Sequence, residues 1–141
     1  MTLLEQTLHR HQIRVTAVRR LILSIFSRAG FALSHADIER QLGHDYDRVT
    51  IYRTLRTFLE KGLIHKVTDD AGVARYALCD LQKCNVESHA DEHVHFKCVH
   101  CGHIFCLNSV DLPPLHLPEG YVWYATTIIV DGLCKTCKEG L

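Results

Sequence analysis

The sequence predicts an α+β protein in two halves, a basic helical half followed by a smaller half rich in cysteine and histidine. Three observations predict it. Apolar residues recur at helical spacing up to about Gly62 and at strand-like spacing after it. The 141 residues carry no formal net charge, yet residues 1–66 hold eleven Lys/Arg against six Asp/Glu, and residues 67–141 hold five against ten. All seven cysteines lie at or after Cys79, and five of the eleven histidines fall between His89 and His103. A positive half suits a polyanion, and a Cys/His half suits a metal.

In chain order, residues 2–11 read as a short polar helix with Leu3, Leu4 and Leu8 on one side. Thr16 is placed to cap a helix in which Val18, Leu21, Ile22, Ile25 and Phe26 recur, and Gly30 stops it. Ser34 opens the next, with Asp37 three residues on as an acidic form of the capping box. Ala36, Ile38 and Leu42 are its apolar side, and Gly43 ends it. Asp47 caps a helix from Arg48 to about Lys61, with Gly62 just beyond. At 100° per residue, Ile51, Leu55, Phe58 and Leu59 share one face of it. Thr50, Arg53, Arg56 and Thr57 take the opposite face, with Tyr52 at the border. Residues 63–67 and 74–78 then flank a polar turn, Thr68-Asp69-Asp70-Ala71-Gly72, which is a β-hairpin signal. Three main helices, the last basic on its outer face, followed by a hairpin make a winged helix-turn-helix. Arginine takes guanine with two hydrogen bonds, and threonine meets a phosphate or a thymine methyl. This face therefore suits DNA better than it suits plain solvent.

The second half carries Cys98-Val99-His100-Cys101-Gly102 and Cys134-Lys135-Thr136-Cys137. Two residues between cysteines let both thiolates reach one ion, and two such knuckles make a closed tetrahedral site that suits zinc. The intervening loop is long enough to need structure of its own, and residues 120–130 read as a β segment. Just before the first knuckle stands His93-Val94-His95, whose imidazoles share one side if the segment is a strand. His65, Cys79, His89, Asp91, Glu92 and Cys106 are neighbouring candidates. Cys84, His100, His103 and His116 are left without a role.

Several classes are excluded. Aliphatic runs such as Ile128-Ile129-Val130 are far short of a membrane span. The first residues have no basic stretch leading into an apolar one, which predicts a cytoplasmic protein, and in a reducing compartment metal ligation comes before disulfides. No Gly-rich phosphate loop or Gly-x-Ser-x-Gly appears, and a closed all-cysteine site offers neither an open coordination position nor a general base. The expectation is that the chain is not an enzyme.

Taken in order, Arg14-Val15-Thr16-Ala17-Val18-Arg19, Asp47-Arg48-Val49-Thr50-Ile51-Tyr52-Arg53-Thr54-Leu55, Gly62-Leu63-Ile64-His65-Lys66-Val67 and His93-Val94-His95-Phe96-Lys97-Cys98-Val99-His100-Cys101-Gly102 resemble the ferric uptake regulator (Fur) family of bacterial repressors. The resemblance spans nearly the whole chain. It implies a winged helix-turn-helix over residues 1–79, a hinge over 80–92, and a small α/β dimerisation domain with a four-cysteine zinc site over 93–141. It implies a homodimer that binds palindromic operators in double-stranded DNA when a regulatory metal is loaded. Tyr52 and Arg53 match the family's readers of the major groove, with Thr50 and Arg56 on the same helix. Arg14 matches a minor-groove contact and Arg19 a backbone contact. Cys98, Cys101, Cys134 and Cys137 match the structural zinc site.

For the regulatory metal, iron and peroxide sensors use a histidine at about Ala32 and an acid at about Ala77, and this chain has neither. His65 and Cys79, with the pair His93 and His95, match the zinc-sensing subfamily. Cys106 stands where a carboxylate is usual and is a possible extra ligand, and Val94 stands where a further site takes an acid. Thiolate with imidazole favours zinc, with Fe2+ or Mn2+ as alternatives. A zinc-storage protein that ignores DNA and a zinc hydrolase using His93 and His95 are the rival functions.

Overall fold

A computed structural model describes residues 2–68, 72–78, 94–107, 110, 114–124, 126 and 128–140. The chain divides into two compact units, Met1–His89 and Ala90–Leu141.

The first unit begins with α1 (Leu3–Arg10) and α2 (Ala17–Ala29). Thr2 and Glu5 close a capping box on α1, and Thr16 accepts the backbone N–H of Arg19 to cap α2. Gly30 ends α2 at φ 73°, a left-handed conformation that glycine adopts without a Cβ clash. Then come β1 (Leu33–Ser34), α3 (His35–Leu42) and α4 (Arg48–Glu60). The Ser34–Asp37 box forms in both directions, at 2.9 and 3.1 Å. Asp47 accepts the Thr50 N–H at 2.8 Å. Strands β2 (Ile64–Thr68) and β3 (Ala74–Leu78) pair antiparallel, and β1 adds to the far side of β3, giving the order β1-β3-β2. The predicted caps are thus the observed ones. The two-residue β1 was not legible, since it exists only through its pairing with Arg75 and Tyr76.

Leu8, Ile22, Leu23, Ile38, Ile51, Phe58, Leu63 and Ile64 form the centre of this unit's core. Three residues assigned to apolar faces lie outside it: Leu3 and Leu21 are exposed, and so is Ala36. Arg20 of α2 is tied to Glu5 of α1 at 2.9 Å.

In the second unit, β4 (Val94–Cys98) is the middle strand of the order β5-β4-β6. It pairs antiparallel with β5 (Ile104–Leu107) and parallel with β6 (Ile128–Gly132), after which α5 (Lys135–Glu139) follows. Gly132 lies against the Phe96 ring, where a Cβ would meet a ring carbon at 3.0 Å. The expected β segment over 120–130 is corrected here: among its described residues, 128–130 are strand and 121–124 form no ladder. Tyr121, Val122, Trp123 and Tyr124 are all exposed, Tyr124 by 93%. A β-prone composition gives a strand only where a pleated surface awaits it. No helix among the described residues is long and apolar enough to cross a membrane.

Candidate metal centres and nucleic-acid face

Parallel pairing of β4 with β6 delivers both cysteine knuckles to one edge of the second unit. Cys98 ends β4 and Cys101 lies in the turn after it. Gly102, at φ 77°, donates its N–H to the Cys98 carbonyl at 2.9 Å and turns the chain toward β5. Two residues past β6, Cys134 stands at the position before the first turn of α5, and Cys137 lies on that helix. All four Sγ atoms lie within 4.8 Å of one another. The Cys101 and Cys134 sulfurs are 3.9 Å apart. A tetrahedral Zn–S shell with bonds of about 2.3 Å places its sulfurs about 3.8 Å apart, so the cluster has the right dimensions.

Its electrostatics point the same way. The Cys98 thiol is lowered to about 5 by backbone N–H groups of Cys101 and then Cys134, which donate to its sulfur at 3.5 and 3.4 Å. Cys137 is pushed up to about 12, first by loss of water and then by the neighbouring thiols of Cys134, Cys98 and Cys101. Four thiolates at this spacing repel one another, and a bound dication removes that repulsion. The cluster can therefore hold a metal ion.

The second unit also sets an imidazole against a thiol. His95 stands directly opposite Cys106 across the β4–β5 ladder. Their ligand atoms lie within 4.8 Å, with His95 5% exposed and Cys106 half-buried. In the first unit, His65 lies on β2 and is 7% exposed. Cys79 and His93 lie outside the described residues, as does the whole of the expected hinge, 80–92.

Helix α4 presents one stripe to solvent. Val49, Tyr52, Arg53 and Arg56 are all exposed, at spacing i, i+3, i+4 and i+7, while Ile51, Thr54, Leu55 and Phe58 are buried behind them. Tyr52 is thus central to the stripe rather than at its border, and the half-buried Thr50 flanks it. Val49, 53% exposed, was left unassigned although the 100° spacing puts it on the same side as Arg53 and Arg56. Arg56 pairs with Glu60 at 3.0 Å. Arg48 donates to Glu39 at 3.1 Å, and His35 approaches the other oxygen of Glu39 at 3.5 Å, so one acid braces the starts of α3 and α4. A groove of about 600 Å³ runs beside this brace, lined by His35, Arg48, Val49, Tyr52, Val73 and Ala74 among others. Ahead of α2, Arg14 is exposed, and its carbonyl accepts from the Arg19 guanidinium at 2.9 Å. Arg19 therefore holds the loop that carries Arg14.

Residues 10–114 match the ferric uptake regulator family. A ferric uptake regulation protein of Bordetella parapertussis is 26% identical over 136 residues, 91% of each chain. Among solved structures, a zinc uptake regulator in complex with zinc and DNA shares the fold at a TM-score of 0.63 and 24% identity, over 96% of this chain and 91% of that one. The ferric uptake regulator of Vibrio cholerae shares it at 0.58 and 18% identity, over 92% and 98%. Winged-helix unit, four-cysteine cluster and matched span converge: the chain belongs to the ferric uptake regulator family, whose members are metal-responsive transcription regulators and not enzymes.

Proposed function

We propose that the chain is a zinc-responsive repressor that binds palindromic operators in duplex DNA as a homodimer, in the cytoplasm, when its regulatory metal is loaded. The observation that carries zinc is the pairing of His95 with Cys106, an imidazole and a thiol across one ladder. Nitrogen and sulfur donors favour zinc over Fe2+ or Mn2+, which take oxygen more readily. The regulatory ligands in this reading are His65, Cys79, His93 and His95, with Cys106 as an extra thiolate. Cys98, Cys101, Cys134 and Cys137 hold a second, structural zinc.

On the DNA side, Tyr52, Arg53 and Arg56, flanked by Thr50, meet the major groove. Arg14 enters the adjacent minor groove, with Arg19 on the backbone. The support is the exposed stripe of α4 together with the family. Domain limits of 1–79 and 93–141 leave residues 80–92 as a hinge. Ligands drawn from both sides of a hinge let an ion favour one orientation of the recognition helices by its differential affinity, as a metal-switched repressor requires.

A gel shift of a regulator-promoter fragment pool, with Zn2+, Fe2+ or Mn2+ added to metal-stripped regulatory sites, tests it. Wild type should shift DNA with zinc. His65→Ala and Cys79→Ser should keep the structural zinc and the dimer but lose the zinc response. Arg53→Ala should lose the shift itself, since a two-hydrogen-bond base contact is worth about 1–3 kcal/mol. A response to ferrous iron and none to zinc overturns the zinc assignment and leaves the family intact.

A further inference from the structure

We infer that Val49 reads a thymine 5-methyl group, so that each operator half-site carries a thymine where the first turn of α4 meets the base edges. The inference rests on the DNA-binding reading above and adds a specificity residue to it. Folding does not call for an apolar side chain at Val49. It is 53% exposed on the polar side of an amphipathic helix, and valine is a weaker helix former than the Arg or Glu that such a position usually takes. Its surroundings give the reason. It lies in the first turn of α4, on the stripe shared by Tyr52, Arg53 and Arg56, with Arg48 beside it. The groove it lines is also lined by Val73, 44% exposed. An apolar side chain on a helix stripe that also carries Arg53 and Arg56 suits a base edge flanked by phosphates.

In a helix-turn-helix, the first residues of the recognition helix face the base edges. In the major groove only thymine offers an apolar group, its 5-methyl, whereas guanine, adenine and cytosine offer hydrogen-bonding atoms. An isopropyl group can bury that methyl. Placed against the cytosine amino group it would strip water from a donor and return no acceptor. Valine at this position thus both rewards thymine and penalises cytosine, a discrimination that the arginines on the same stripe cannot supply.

The test uses the full chain loaded with whichever of Zn2+, Fe2+ or Mn2+ produces the DNA shift. Duplexes are selected from a randomised pool by wild type, and each dT of the selected site is then replaced by dU, which removes one methyl and changes nothing else. At one position per half-site, wild type should lose affinity about four-fold, the worth of one buried methyl. Val49→Ala should bind the dT and dU sites alike, with unchanged helicity, because alanine suits an exposed helical position. Arg53→Ala, titrated to the higher protein concentrations at which it still binds, should keep the dT/dU ratio despite its lower overall affinity. A dT/dU loss that persists undiminished in Val49→Ala, or that appears at no position, overturns the inference while DNA binding stands. Failure of wild type to select any duplex overturns both.

Discussion

From Leu8 to Ala77 the first unit encloses an apolar core, with Leu8, Ile22, Leu23, Ile38, Ile51 and Phe58 almost wholly removed from water. Among the described residues of the second unit, only Val94, Cys98 and Ile104 are buried apolar residues, while Tyr121, Trp123, Ile129, Val130 and Leu133 face outward. Burying one large aliphatic or aromatic side chain is worth about 1.5–3 kcal/mol, so the first unit has the means to hold itself together. A unit spanning Ala90–Leu141 is near the size at which a core alone no longer suffices, and a metal or a second copy has to supply the rest. Exposed apolar patches of this kind mark association surfaces, which fits the proposed homodimer. On the proposed reading the two units are stabilised by different physics, and each should be open to attack without the other.

The largest separation should come from metal. Structural zinc in small domains contributes on the order of 10 kcal/mol of folding free energy. A strong chelator, or Cys101→Ser, should therefore remove the second unit's amide protection and the dimer, leaving the first unit's helices protected in hydrogen exchange. A dimeric Cys101→Ser protein with its full zinc content would remove the basis of the contrast.

Phe58→Ala is the converse. It empties the centre of the first core and should cost about 3–5 kcal/mol there. Thermal melting should show the first unit unfolding earlier while zinc content stays at the wild-type level. Simultaneous loss of zinc would mean that the second unit leans on the first.

The smallest effects concern caps. Ser34→Ala should cost the first unit about 1 kcal/mol by freeing the Asp37 N–H at the start of α3. Acid should act on the same ends. For Asp37, burial works against the charge but is outweighed by hydrogen bonds from the Ser34 backbone and hydroxyl, so its carboxyl lies below the ordinary 3.8. Asp47 lies below it too, through its bonds to Thr50. A depressed carboxylate stabilises the fold fully above the unfolded value and loses that contribution as pH falls through the folded one. Helicity of α3 and α4 should therefore hold down to about pH 4 and weaken below it, and Asp37→Asn with Asp47→Asn should flatten that part of the acid titration.

The same contrast explains what could be read from sequence. Caps at Thr16, Ser34 and Asp47 were legible because a cap is decided within four residues. The knuckles were legible because each pair of thiolates is set by a two-residue spacer, even though their meeting depends on a distant strand pairing. Residues 121–124 misled because their β-prone side chains do not report whether a neighbouring strand exists. Val49 was legible in position, since the helical period sets it opposite Ile51, Leu55 and Phe58, but a position on the outer face does not report what an apolar side chain there would meet.

The parallel ladder of β4 and β6 also fixes when this protein can become complete. Cys98 and Cys134 are 36 positions apart, and they meet only after a crossover has closed that loop. Non-local parallel pairing is among the slower steps in folding. On a ribosome adding about 5–20 residues per second, Cys134 follows Cys98 by about 2–7 s. Over that interval the first knuckle offers two thiolates and no third. With the proposed zinc in this cluster, a chain made while zinc is scarce should keep its second half open until metal arrives. Its completion would then follow metal supply as well as the order of synthesis.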